Sequence, residues 1–111
     1  MSESLHPIAT KVVYEDDYVR VWHQQVPAGG RIERHLHEHD YFLVNVAGNG
    51  PLDVTFHEGT GGELGDAFTF EPQPGRSVFI PKGHMETAHN RGEEYRAVLV
   101  ELKKPKDSPR T

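Results

Sequence analysis

Three histidines alternate with other residues at positions 35, 37 and 39, shortly after Gly29 and Gly30. Successive side chains of an extended strand point to opposite faces, so His35, His37 and His39 would share one face of a strand. On a helix the same spacing would spread them around the axis, and the glycines together with the β-rich surroundings favour the strand. Imidazoles aligned on one strand face indicate a metal site. The alternative is a solvated cluster of histidines and neighbouring acidic residues.

The composition limits how a metal could be held. The chain has 111 residues, which fits one domain, and it contains no cysteine. Disulfides, thiolate zinc sites and cysteine nucleophiles are therefore excluded, and a metal would need His, Asp, Glu, Tyr or water as ligands. The formal net charge is −5 and there is no long basic run. Binding to nucleic acid is not expected, because phosphate neutralisation needs clustered Lys and Arg.

The first residues and the length of the apolar stretches indicate where in the cell the protein would be located. The first residues include an acid and no apolar core, so they do not resemble a signal peptide. No apolar stretch is long enough for a membrane span. The sequence therefore predicts a cytoplasmic protein with an N-terminal arm over residues 1–9, one domain over 10–103 and a flexible C-terminal tail over 104–111, where prolines interrupt a polar segment.

Short segments of strand character, separated by glycine and proline turns, fill most of the chain. They lie at 11–15, 18–26, 31–46, 52–57, 68–70, 76–80, 84–90 and 95–102. No helical periodicity of useful length is present. Many short strands with regular turn signals predict an all-β sandwich or barrel. In the last strand, Tyr95, Ala97, Leu99 and Glu101 share one face.

Two glycine-bounded frames enclose the candidate residues. In the first, Gly29 is followed after five residues by His35-Leu36-His37, after three more by Tyr41 and after six more by Gly48. In the second, Gly75 is followed after five residues by a Pro-Lys-Gly-His segment over 81–84. Glu86 comes next in this frame, and Asn90 follows it after three residues.

These frames resemble the two motifs of the cupin family, over about residues 10–103. Tyr41 stands where the family usually has Glu, and Glu86 stands where it usually has a third histidine. The resemblance implies a single-domain jelly-roll barrel, also called a double-stranded β-helix, often dimeric and with a metal inside its mouth. The chain is also similar to short bacterial single-domain cupins, including those linked to β-alanine degradation.

The resemblance assigns His35 and His37 as metal ligands, in agreement with their shared strand face. Glu86 would complete a set of two histidines and one carboxylate, chemically like the facial triad that leaves positions open. Three further residues stay open as a replacement or additional ligand: His39, Tyr41 and His84. The expected cofactor is a divalent transition metal such as Fe, Ni, Zn or Mn, because these ligand types do not select one ion.

A substrate pocket is expected beside the metal, lined by Tyr41 and by His23 and Gln25, which share a face of the preceding strand. The predicted function is a mononuclear metal-dependent enzyme acting on a small polar molecule, such as a dioxygenase or isomerase. Oxygenation, isomerisation, decarboxylation and hydrolysis stay open, because the fold does not choose among them. The alternative is a non-catalytic binding or sensory cupin, suggested by the substitutions at Tyr41 and Glu86. A small-molecule ligand and a homodimer are the expected partners, without nucleic acid or membrane.

Overall fold

Strands joined by glycine and proline turns make up most of the chain. The structure is a computed structural model that describes residues 5–103. Its strands are β1 (Lys11–Glu15), β2 (Val19–Val26), β3 (Arg31–Leu36), β4 (Tyr41–Ala47), β5 (Leu52–Phe56), β6 (Ala67–Phe70), β7 (Ser77–Ile80), β8 (Met85–Asn90) and β9 (Tyr95–Leu102). A short 3₁₀ turn, Gly62–Leu64, lies between β5 and β6. Over residues 5–103, no helix has the length and apolar character needed to cross a membrane.

The strands form two antiparallel sheets over the described residues. One has the strand order β1-β2-β9-β4-β7 and the other the order β3-β8-β5-β6. Side chains from both sheets meet in one core, including Leu43 and Leu99 from the first sheet and Leu52 from the second. The all-β architecture predicted from the turn spacing is confirmed.

Every second residue of β9 is buried, so one face of this strand points into the interior. Tyr95, Ala97, Leu99 and Glu101 are all buried, as their shared strand face predicted. The Tyr95 hydroxyl donates to the Asn45 side chain at 2.8 Å, which satisfies a polar group within the core. The interior is therefore apolar through most of its depth and contains a few paired polar side chains.

The strand predicted over residues 31–46 is divided in the structure. β3 ends at Leu36 in one sheet and β4 begins at Tyr41 in the other sheet, so the chain crosses between sheets at residues 37–40. His37 is held outside the strand ladders: its amide donates to the His84 carbonyl at 3.0 Å, and its carbonyl accepts from the Gly83 amide at 2.8 Å. The prediction that three histidines share one strand face is therefore wrong, because only His35 lies within a strand.

The N-terminal arm packs against the domain where it is described. Ile8 and Ala9 are buried in the core, and the His6 amide donates to the Arg34 carbonyl at 2.9 Å. Two apolar side chains therefore anchor residues 5–9 of the predicted N-terminal arm to the domain. Residues 1–4 of the predicted arm, and the predicted flexible tail over 104–111, lie outside the described residues.

The glycines of the two motif frames occupy left-handed backbone conformations. Gly29, Gly48, Gly75 and Gly83 all have positive φ. Gly48, at φ +83°, is also the most crowded of the four, since a Cβ added there would collide with the Glu94 carbonyl oxygen. A side chain at this position would be opposed both by its own backbone and by the neighbouring chain.

We predict that Gly48→Ala lowers the free energy of unfolding by about 2–4 kcal/mol, from left-handed strain plus a backbone collision. Gly59→Ala is the matched control: Gly59 has φ +74°, but a Cβ there meets nothing within 4 Å. Gly59→Ala should lower the free energy of unfolding by only about 1–2 kcal/mol. Urea unfolding of both variants measures the difference. Equal losses would contradict the crowding at Gly48.

Candidate metal centre

A β-bulge in β3 aims His35 into the interior. Ile32 lies opposite Ala88 of β8, whereas His35 lies opposite Glu86, so β3 contains one residue more than β8 between the two pairs. Such a bulge redirects the side chains that follow it. Ile32 and His35 are three residues apart, and both line the interior cavity with Glu86. His35 Nε2 lies 3.7 Å from Glu86 Oε1.

The bulge also sets the orientation of the His35 ring. Nδ1 of His35 lies 2.6 Å from the Glu33 carbonyl oxygen, and the side chain is 2% exposed. Since a carbonyl can only accept, Nδ1 carries a proton, and in the neutral ring the lone pair belongs to Nε2, on the side facing Glu86. A backbone carbonyl holding one ring nitrogen, with the other free, is the arrangement typical of metal-binding histidines.

His37 is a buried imidazole with an unpaired nitrogen. Its ring lies 4.8 Å from the ring of His35, edge to face, and stacks on Tyr41 with centroids 4.3 Å apart. Nδ1 of His37 is buried and has no hydrogen-bond partner among the described residues. Burial lowers the pKa of His37 to about 4, so the ring is neutral at pH 7 and has a free lone pair. Such a nitrogen opposes folding, and therefore points to a functional role for the residue.

Glu86 supplies the negative charge of the cluster. Burial by itself would raise the pKa of Glu86, but its contact with His35 and the positive charge that the neighbouring histidines carry when protonated outweigh burial and lower the pKa overall. Glu86 is therefore a carboxylate at neutral pH. An ionised acid in this mostly enclosed position needs a compensating positive charge, from a protonated histidine or from a bound cation.

These three residues converge on one point. One potential ligand atom from each of His35, His37 and Glu86 lies within 4.8 Å of the other two. Ligand atoms about 2.1 Å from a common ion lie within roughly 4.2 Å of each other, so small side-chain adjustments suffice to bind one. Two neutral imidazoles and a carboxylate fit a divalent transition metal. The residues expected from the sequence to bind metal are thus brought together, and their ligation stays a prediction.

The three alternative ligands lie at different distances from this cluster. His84 Nδ1 lies 3.9 Å from Glu86 Oε2, and the His84 ring packs against the ring of Phe56. Tyr41 is buried, and burial raises its pKa well above the usual value, so it is a neutral phenol that covers His37. His39 is half-buried between β3 and β4 and does not belong to the cluster of three.

The predicted pocket residues on β2 face away from the interior cavity. Gln25 is exposed, and its amide donates to Glu94 at 2.7 Å. Gln24 is buried and lines the cavity together with Tyr41. His23 shares the face of Gln25, because side chains alternate along a strand. The sequence could not decide between the faces, since each carries both polar and apolar residues.

Sequence reasoning also missed a buried ionic group beside the site. Glu101 is 2% exposed, and its Oε1 accepts from Arg20 Nε and from Trp22 Nε1, each at 2.7 Å. It lies opposite Tyr41 in the sheet. An acid on the apolar face of β9, together with Arg20 and Trp22 on one face of β2, was the available signal. This group borders a cavity of about 380 Å³, which Glu38 and the N-terminal segment also line.

Comparison with solved structures identifies the fold. A cupin domain from Bordetella pertussis Tohama I is 24% identical, with TM-score 0.75, covering 93% of this chain and 100% of that chain. An RmlC-like cupin with a double-stranded β-helix fold from Methanocaldococcus jannaschii is 15% identical, with TM-score 0.64 and coverage of 87% and 81%. The polyketide cyclase RemF from Streptomyces resistomycificus is 18% identical, with TM-score 0.56 and coverage of 82% and 58%. No protein-family model and no curated protein sequence matches the chain.

The similarity extends over nearly the whole chain in the first of these structures. The chain has the fold of a small cupin-like domain, and its two sheets form the double-stranded β-helix. The cupin fold predicted from the glycine frames is confirmed.

We predict that Glu101→Gln lowers the free energy of unfolding by about 1–3 kcal/mol, because Arg20 loses its buried charged partner while the side chain keeps its shape. Glu38→Gln is the control, since Glu38 is an exposed acid at the rim of the same cavity. It should change stability by no more than about 0.5 kcal/mol. Denaturant titration at pH 7 compares the two. An unchanged stability in Glu101→Gln would show that the buried pair contributes nothing net.

Proposed function

We propose that this chain is a mononuclear metal-dependent cupin enzyme whose divalent transition-metal ion is held by His35, His37 and Glu86. The observation that carries the proposal is the convergence of these side chains inside the barrel. Metal binding would compensate the cost of burying them, since it would give neutral imidazole nitrogens and a carboxylate a common partner. Fe, Ni, Zn and Mn are the candidate ions.

Catalysis at such a centre would combine the ion with groups that this chain holds in place. A divalent ion with open positions polarises a bound carbonyl or carboxylate oxygen. The Glu33 carbonyl fixes the tautomer of His35, and the stacked phenol of Tyr41 shields His37 from solvent. These contacts keep the ligands oriented before a substrate arrives.

His84 is the candidate for proton transfer. It is half-buried, lies 3.9 Å from Glu86 and lines the groove through which a molecule would approach. An imidazole in this position can hold or move a proton on a molecule next to the ion. The reaction class stays open among oxygenation, isomerisation, decarboxylation and hydrolysis. The fold occurs in a polyketide cyclase, an enzyme by its description, which agrees with catalysis but does not select a reaction.

The geometry favours the enzyme over a non-catalytic binding cupin. The binding alternative was suggested by Tyr41 and Glu86, which depart from the usual family residues. Glu86 nevertheless faces the two histidines as a carboxylate, so a group able to bind metal is present at this position. A homodimer and a cytoplasmic location remain expectations from the sequence.

We predict that protein purified without a histidine tag binds one divalent transition metal per chain. His37→Ala and Glu86→Gln should each weaken the affinity at least about 10-fold, because each removes one donor. His39→Ala is the matched control and should bind metal like the wild type, since His39 lies outside the cluster. Elemental mass spectrometry after equilibrium dialysis against Zn²⁺ or Ni²⁺ gives both stoichiometry and affinity.

Absence of stoichiometric metal in the wild type would refute the proposal. Loss of metal in His39→Ala, with Glu86→Gln unaffected, would move the site away from Glu86. Metal binding as predicted, without turnover of any candidate substrate, would favour the binding alternative.

A further inference from the structure

An apolar groove of about 300 Å³ opens between the two sheets. β6 and β7 are the outer strands of their sheets within the described chain, so the sheets separate along this side. Phe68 of β6 and Val78 of β7 line the gap, and they remain 40% and 39% exposed. Apolar side chains from both strands are thus left accessible beside the core.

The groove leads to the candidate metal centre. Tyr41 and Glu86 line both this groove and the interior cavity that contains His35 and His37. His84 lies at the same inner end of the groove. A molecule in the groove would therefore have its apolar body between the sheets and one end next to Glu86.

The side chains that line the groove limit the charge that a bound molecule can have. The described residues that line the groove include no Lys or Arg, and Glu86 is their only acid. Phosphorylated and polyanionic molecules are therefore disfavoured, because no side chain would balance their charge. A divalent ion beside one carboxylate and two neutral imidazoles carries a net charge of +1. One anionic oxygen group would neutralise it.

We propose that the substrate is a small monoanion with an apolar body of aryl size, such as an aromatic or branched aliphatic carboxylate. Its oxygen end lies at the metal and its body lies between Phe68 and Val78. This inference rests on the metal centre proposed above. It refines the small polar molecule expected from the sequence, since only one end of the ligand is polar. A groove of this volume is at the lower limit of typical ligand pockets, which suits one or two rings.

The test uses the full chain loaded with Co²⁺ and two ligands that differ by one phenyl group, 3-phenylpropionate and propionate. Both can reach the ion, and the visible absorption of bound cobalt reports their binding. We expect half-saturation by 3-phenylpropionate at a concentration at least about 10-fold lower, because the ring leaves water for an apolar groove.

Two variants test whether the preference for 3-phenylpropionate over propionate arises in the groove. Val78→Phe fills the groove and Phe68→Ser removes its opposite wall, and each should reduce the ratio between the two ligands to less than about 3-fold while propionate binding is kept. Val46→Phe is the matched control, since Val46 lies on β4 at 51% exposure and is not among the residues that line the groove. It should keep the wild-type ratio.

The cobalt content is measured first, because it distinguishes failure of the metal centre from failure of the substrate inference alone. A wild-type chain that holds no cobalt refutes the metal centre and this inference with it. One cobalt per chain with equal affinity for the two ligands refutes this inference alone, including the case in which a second copy of the chain covers the groove. An equal loss of preference in Val46→Phe and Val78→Phe would also overturn it.

Discussion

The pairing of β3 with β8 is the constraint on which the candidate site depends. It places His35 opposite Glu86 on neighbouring strands, and the extra residue in β3 turns His35 inward, to the side on which Glu86 lies. The same bulge presents the Glu33 carbonyl to His35, so backbone geometry fixes both the position and the protonated nitrogen of the ring. Two of the three candidate ligands, His35 and Glu86, are thus positioned by paired strands, which are stiffer than a loop.

Residues 37–40 depend on this pairing, because the chain leaves β3 there to cross to the other sheet. Hydrogen bonds between the His37 and Gly83–His84 backbones join the crossing to the segment before β8. His37 is therefore held next to Glu86, although it lies in no strand. The three polar side chains lie in a mostly apolar interior, and this arrangement costs free energy unless a ligand compensates it.

Much of the fold could be predicted from the sequence, since strand periodicity and glycine turns are local signals. The inward face of β9 followed from period-two alternation, and the glycine frames indicated that His35, His37 and Glu86 belong to one site, as the structure shows. The features that could not be predicted depend on pairing between strands that are far apart in the sequence. The crossing at residues 37–40 interrupts a segment that is extended on both sides, and the bulge in β3 is defined only by its partner β8. The inward residue of β2 was Gln24, which polarity alone could not distinguish from Gln25.

The central claim is that one metal ion is bound by two histidines and a glutamate within the barrel. The most direct measurement is an anomalous difference map from crystals of the cobalt-loaded protein, with data collected on both sides of the cobalt absorption edge. The account predicts one peak bonded to His35 Nε2, a His37 ring nitrogen and a Glu86 carboxylate oxygen. A peak bonded to His39 or to surface histidines instead, or no peak in cobalt-loaded crystals, would contradict it.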